Sequence, residues 1–500
     1  MNWKQAAALI VLYLLLIIAS IEFASLFYWL VQPLGLYAES LAWTQNIARL
    51  ESQIFYAMAP LTPTLFTLFI FSWIAKPILK ILKVKALQFK IGDKKFSLAP
   101  SKSTAHQYLT KRCTATLILA SSMAAATLLT LYPYSPALNP DCHHVGVDIH
   151  YYAGDWLPNM ANQTSILQTI NYAFSRLGDR PLGLLLMYVV HKTTGFSTWT
   201  VAMFLPAILA PLTVLAIYYF SREARLNQIV ASLAAVFTIF SYHLTTGIFA
   251  GFLSNWMAMI GVYIFSGLLM HSMRLKSRLH GSLAALTMVL VLFTHAGTWG
   301  MFMGVVAAFT LLQLFGDIRA KRAFPSWNMK LLTIILAVNA SANVLRNCFL
   351  SFGVAIEVLQ VAQAGMSMQN IAEYWSTVNY TFNFYMFRTF LNPLIVFLSL
   401  IGALAILTKS VGEAHEYLTS SLLASTIPFI LGNLVIQARI LYNLPISIFA
   451  AQGLYTILTL NSNITKKYKK FYALAITLTI LFNLNYALRL LFALPSREFP

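Results

Sequence analysis

The chain predicts an all-α protein that crosses a membrane many times, and three observations carry that expectation. Hydrophobic residues make up 59% of the 500 and charged ones only 10%, with a mean hydropathy of +0.70, so a water-soluble core cannot account for this much apolar chain. Apolar runs of about 20 residues, the length a helix needs to cross the hydrocarbon, recur from one end to the other. Lys and Arg gather in the short links between those runs, the pattern that orients a multi-span protein. The formal charge of +19 would suggest nucleic acid for a soluble chain, but placed in membrane links it implies none. The three cysteines, Cys113, Cys142 and Cys348, are too scattered for a disulfide framework or a thiolate metal site.

In order, spans are expected at roughly 5–31, 54–76, 113–132, 198–220, 228–245, 249–272, 281–295, 298–316, 330–347, 389–408, 418–436, 441–461 and 471–493, about thirteen in all. The first run exceeds a signal-peptide core and lacks a small-residue cleavage site, so it reads as a retained helix. With Lys4 and the N-terminus in the cytoplasm, the basic links fall on one side: Lys76 to Arg112, Arg222 with Arg225, Arg274 to Arg278, Arg319 to Arg322, Lys409, and Lys466 to Lys470. The C-terminus then lies outside. The run from Pro181 to Val190 is short, and counting it as a crossing would move every later basic link outside. It is expected as a half-helix or interfacial helix on the outer side. Two long outer segments result, about 133–197 and 348–388, and outer links of that length seldom serve only as connectors. Residues 77–112 form a basic inner segment, with a small hairpin expected near Leu87 to Phe96. The chain thus divides into 1–112, two helices plus this segment, and 113–500, an eleven-helix unit.

The outer side carries few polar groups. Its carboxylates are Asp141, Asp148, Asp155, Asp179, Glu357 and Glu373, and its histidines His143, His144, His150 and His295. The richest stretch runs from Gly146 to Trp156 and holds Asp148, His150, Tyr151, Tyr152 and Asp155. A loop-borne acid pair at a bilayer surface suits chemistry as well as capping. Asp148 and Asp155 supply oxygen ligands for a hard divalent cation, and His150 offers nitrogen to zinc or manganese, although the spacing matches no named metal motif. Arg439, in Gln437 to Pro445, sits at the outer mouth of a helix, where it either snorkels to headgroups or meets an anion; its planar fork suits a phosphate. His295 lies at another outer helix end, as a packing residue or a polar site group.

In chain order these pieces resemble the GT-C superfamily of membrane glycosyltransferases, which holds protein O-mannosyltransferases, aminoarabinose transferases and oligosaccharyltransferases. Val147 to Tyr152 resembles the family's Asp-containing, Tyr-rich first outer loop. Asp179-Arg180-Pro181-Leu182 through Val190, then Phe204 to Arg222, is similar to its Pro-led half-helix and the Pro-rich span after it. Arg439 through Pro445 resembles its late Arg and Pro-opened helix, and the likeness covers about 113–461. Many relatives carry paired acids where this chain has Asp148-Ile149, so the second polar group is Asp155 or a histidine. The chain shows no Trp-Trp-Asp motif, which argues against transfer of a preassembled glycan.

The resemblance implies a GT-C-like bundle with outer interfacial helices. It also implies transfer of a single sugar from a polyprenyl-phosphate donor to a glycan, lipid or protein acceptor. Asp148 is then the catalytic base, with Asp155 as a second carboxylate. Arg439, Arg180, His295, Tyr151 and Tyr152 bind substrate, and a divalent metal on Asp148, Asp155 and His150 is optional. Two other classes compete. A transporter or flippase would place ionisable groups on broken helices near the midplane; here the clearest such acid is Glu22, in the first helix, and no repeat is visible. The third class is a silent relative acting as scaffold. An impermeant thiol reagent applied from outside should modify cysteines introduced at 141–160 and 360–380 but not at 85–105; labelling of the basic segment would invert the topology.

Overall fold

The computed structural model describes residues 3–34, 42–58, 105–176, 180–319, 325–349, 371–381, 392–408, 412–431, 434–459 and 469–496. The chain is an all-α polytopic membrane protein, and among the described residues there is no strand. This follows from the solvent: hydrocarbon offers no hydrogen-bond partner, so each spanning segment must satisfy its own backbone. Eight of the described helices are long and apolar enough to cross a bilayer, or up to nine if Ile436–Asn443 and Ile446–Thr459, bent by 56°, count as one span.

Several expected spans take another form. That at 54–76 lies largely outside the described residues, as does the expected hairpin. Those at 281–295 and 389–408 appear as Arg278–Thr294 and Pro393–Thr408, apolar helices of 17 and 16 residues. At about 1.5 Å per residue they reach about 25 Å, short of a core of about 30 Å. The run at 418–436 belongs to Glu413–Leu431, which opens on Glu413 and Glu416. The helix expected to begin at 113 starts at Ala105, so part of the basic segment is helical. Pro181–Thr194 is a separate helix of 14 residues, about 21 Å long. It lies close on the Leu253–Leu275 helix because Gly183 leaves room: a Cβ there would stand 2.9 Å from Ser254 Oγ.

Burial ranks the spans from inside to outside. Gln228–Ala250 and Leu253–Leu275 are 89% and 78% buried over their apolar windows, whereas Cys113–Tyr134 and Trp327–Cys348 are 28% buried. The first pair forms the centre; the second pair turns most of its surface outward, as lipid-facing helices do. The first helix docks on the last. Asn485 Nδ2 donates to Glu22 Oε2 at 3.0 Å and to Glu51 Oε2 at 2.7 Å, and Ser25 Oγ donates to Asn485 Oδ1 at 3.1 Å. Buried carboxylates without such donors would be far costlier.

Where lipid removes the hydrophobic drive between helices, small residues let backbones approach. Pro393–Thr408 and Ile446–Thr459 meet in this way: a Cβ on Gly402 would fall 1.8 Å from the Phe449 carbonyl oxygen, and one on Gly453 would fall 1.9 Å from that of Leu398. Gly453→Ala should therefore force the pair apart and cost about 3 kcal/mol, the upper end for overpacking. Gly304→Ala, which meets open space, should leave the thermal-unfolding midpoint in detergent unchanged or raised.

Candidate functional site

The site is built on a helix end. Tyr242–Ala250 stops at Gly251, whose φ of 68° lies in the left-handed region that glycine takes most easily. Its last carbonyls have no partners of their own within the helix. The loop that leads into Asp148 supplies them: Val147 N–H donates to the Phe249 carbonyl at 2.8 Å and Asp148 N–H to the Ala250 carbonyl at 2.9 Å. Two glycines permit this seating. A Cβ on Gly146 would meet the Ile248 carbonyl at 3.0 Å, and one on Gly251 would meet Asp148 N at 3.2 Å.

From Asp148 the chain enters a π-helix, Tyr151–Trp156, a form often found at functional sites. It turns Tyr152 inward, 1% exposed, and leaves Tyr151 47% exposed. The Tyr152 hydroxyl donates to Ser254 Oγ at 3.2 Å, accepts from Ser254 N–H at 3.3 Å and lies 3.5 Å from Arg180 Nη1. Arg180 also lies over the Trp156 ring, its Cζ 5.0 Å from the centroid, a cation–π contact that orients the guanidinium. His150 donates through Nδ1 to the Val147 carbonyl at 2.6 Å and lies against Tyr151, with ring centroids 3.8 Å apart.

Arg439 arrives from the other half of the chain. Pro445 cannot donate to the helix ladder, and the two limbs around it bend by 56°. Arg439 is exposed on the Leu434–Asn443 limb. Buried Gln437 anchors that limb, its Oε1 accepting from Thr381 Oγ1 at 2.6 Å and its Nε2 donating to the Phe429 carbonyl at 3.1 Å.

The electrostatics show which groups share one neighbourhood. Burial pushes the Asp148 carboxyl above the ordinary aspartate range, and the charges of Arg180, Arg439 and His150 draw it part of the way back. His295 sits at the break between Arg278–Thr294 and Ala296–Arg319. Burial first, then the same Arg180 and Arg439, hold its imidazole well below the ordinary histidine range. Thr298 N–H donates to His295 Nδ1 at 3.1 Å, while the Thr298 hydroxyl donates to Asn255 Oδ1 at 2.6 Å. A neutral ring with Nδ1 accepting carries its proton on Nε2. Asp148, Arg180, Arg439 and His295 therefore gather at one end of the bundle, from four separate stretches of sequence.

Other residues singled out in the sequence have different surroundings. Asp155 is exposed and accepts from Asn159 Nδ2 at 2.6 Å. Asp141 and His143 pair at 3.6 Å on the exposed rim. Asp179, Glu357 and the side chain of Glu373 are outside the described residues. Among the described residues no three His, Cys, Asp or Glu side chains gather to hold a metal ion; Asp148, Asp155 and His150 form no such set.

No protein-family model matches the chain, and no curated protein sequence is significantly similar to it. Among solved structures it is similar to the Archaeoglobus fulgidus oligosaccharyltransferase in its apo form, with a TM-score of 0.49 and 14% sequence identity. The match covers 76% of this chain and 56% of that one, so the chain spans little more than half the length of that protein. A likeness at that level carries no chemistry across, and the site stands on its own residues.

Four supporting residues escape a reading of the sequence: Trp156, Ser254, Asn255 and Thr298. Three of them lie inside or beside apolar runs, where a lone hydroxyl or amide gives no signal. The seating of Asp148 is open to a direct check. Gly195→Ala has φ 72° and open space, so it should cost only the left-handed penalty, about 1 kcal/mol. Gly251→Ala adds the contact with Asp148 N and should lower the unfolding midpoint further, by about 1–3 kcal/mol more.

Proposed function

We propose that this protein is a glycosyltransferase that moves a single sugar from a polyprenyl-phosphate donor to an acceptor hydroxyl at the outer face of the membrane. The observation that supports it is one half-buried carboxylate sharing a helix-end site with two guanidiniums. A donor of this kind keeps its tail in the bilayer and its sugar in water, so its phosphate belongs at the ends of spans, where Arg180 and Arg439 stand. The sequence resemblance of Val147 to Tyr152, Arg180 to Val190 and Arg439 to Pro445 to the GT-C superfamily points the same way.

The chemistry balances on these residues. Asp148 takes the proton of the acceptor hydroxyl as its oxygen bonds to the anomeric carbon, and the bond from that carbon to the phosphate oxygen breaks with its electron pair. A phosphodiester donor carries one negative charge and the departing polyprenyl phosphate two, so charge grows on the leaving group in the transition state. Guanidiniums placed where that charge develops act where stabilisation raises the rate. Tyr152 and Trp156 are positioning residues for Arg180. His295, neutral with Nε2–H, suits a sugar or phosphate oxygen, and exposed Tyr151 offers a face to a sugar ring. A single displacement inverts the anomeric centre. Asp155 stands apart in this reading and Asp148 serves alone. Among the described residues no three-ligand set for a divalent ion forms, and no step here is routed through one. The acceptor is a hydroxyl on a glycan, a lipid or a protein.

In proteoliposomes supplied with radiolabelled polyprenyl-phosphate sugars, Asp148→Asn should lower transfer by about 10²-fold or more while the protein stays folded. Full activity in that variant would overturn the reading. Arg439→Lys keeps the charge but loses the fork and should mainly weaken donor use.

The pH profile gives a separate check. The base works ionised, so the raised carboxyl of Asp148 puts the acid limb of kcat/KM above that of an ordinary aspartate. Arg180→Gln and Arg439→Gln each remove a positive charge that favours the ionised form, so each should move that limb further up in pH.

A further inference from the structure

The Leu253–Leu275 helix carries Ser254 and Asn255 of the site at its start and Arg274 at its finish. At a rise of 1.5 Å per residue these ends lie about 30 Å apart. Beyond its far end opens a cavity of about 440 Å³ lined by Arg225, Arg274, Lys276, Trp327, Asn328 and Glu413, among others. This is the end that the charge pattern assigns to the cytoplasm.

Three features of this cavity bear on what it could hold, with Arg225 and Lys276 exposed on its wall at two helix C-termini. Arg225 and Lys276 hold φ of 54° and 51°, and the third non-glycine residue with positive φ among those described is Cys142. Glycine would take that conformation without strain, so both tight links keep a cation at a conformational cost. Arg274 is neutralised by Glu223, Nη2 to Oε2 at 2.6 Å, with His271 Nδ1 at 2.7 Å on the same oxygen. Arg225 and Lys276 make no ion pair among the described residues. The one carboxylate of the lining, Glu413, is engaged by Asn328 Nδ2 at 3.1 Å. Finally, Trp327 Nε1–H is buried without a hydrogen-bond partner among the described residues, and a buried donor left unpaired calls for an acceptor.

We propose that this cavity binds a phosphate-class oxyanion between Arg225, Lys276 and Trp327, distant from the site at Asp148. Among the described residues Arg225 and Lys276, in no ion pair, give such an anion charge neutralisation, and the Trp327 N–H is a donor of the wall still without an acceptor. Glu413 is the one opposing charge of the lining, with one oxygen taken up by Asn328. The same chemistry fits the headgroup phosphate of an anionic lipid in that leaflet or a soluble phosphate compound. The proposal does not depend on the transfer reaction.

The test uses the full-length protein in neutral detergent, with thermal unfolding followed in inorganic phosphate against chloride at equal ionic strength. Saturating phosphate should raise the midpoint by about 2–4 °C. The double variant Arg225→Gly with Lys276→Gly suits the local backbone, so its starting midpoint should hold or rise while its response to phosphate is lost. Trp327→Phe should weaken the response without changing charge. Nanodiscs of phosphatidic acid against phosphatidylcholine separate the sources. Stabilisation by phosphatidic acid that the double variant loses assigns a lipid headgroup, and a response to inorganic phosphate alone assigns a soluble ligand. No response to either, or an equal response in the double variant, overturns the proposal.

Discussion

Two backbone hydrogen bonds, from Val147 and Asp148 to the last carbonyls of Tyr242–Ala250, tie the loop that carries Asp148 to the most buried part of the bundle. A helix end inside a membrane protein has little water to satisfy its carbonyls, and the loop fills that role. The cap of a central helix is therefore also the support of Asp148. Moving the carboxylate means uncapping the helix, which fixes it more firmly than side-chain packing alone would. Everything else at the site is arranged around that fixed point: Arg180 through Tyr152 and Trp156, His295 through Thr298 and Asn255, and Arg439 through the break at Pro445.

The spans were legible because the bilayer imposes a length on apolar runs, and hydropathy reports length well. It reports breaks poorly. Averaging over a window hides the step at Leu205 and Pro206, the interruption at Phe240 and Ser241, and the shortness of Pro393–Thr408. Polarity misled in the opposite direction at Ala105, where a helix runs on through Lys111 and Arg112 because it does not need to stop where hydrocarbon does.

Of the site residues, charged ones in apolar surroundings stood out, and Asp148, Arg180 and Arg439 do meet in one neighbourhood. The π-helix after Asp148 adds a residue to each turn, and Asp155 ends on the exposed side. Ser254, Asn255 and Thr298 were invisible for another reason. Their role comes entirely from what the fold brings to them, and no pattern along the chain records it.

The backbone contact between Gly402 and Gly453 has a mechanical consequence for the segment that carries Arg439. Where Gly402 and Gly453 meet, no side chain separates Pro393–Thr408 from Ile446–Thr459, which leaves the limb after Pro445 little room there to slide or roll. The limb before Pro445 is held differently, through Gln437 to Thr381 in the 371–381 helix and to the Phe429 carbonyl. The limb with Arg439 thus takes its hold from the 371–381 and Glu413–Leu431 helices, through packing and the buried amide of Gln437. The proline marks the joint between frame and lever, and the lever is seated on a helix more than 200 residues from Asp148 along the chain.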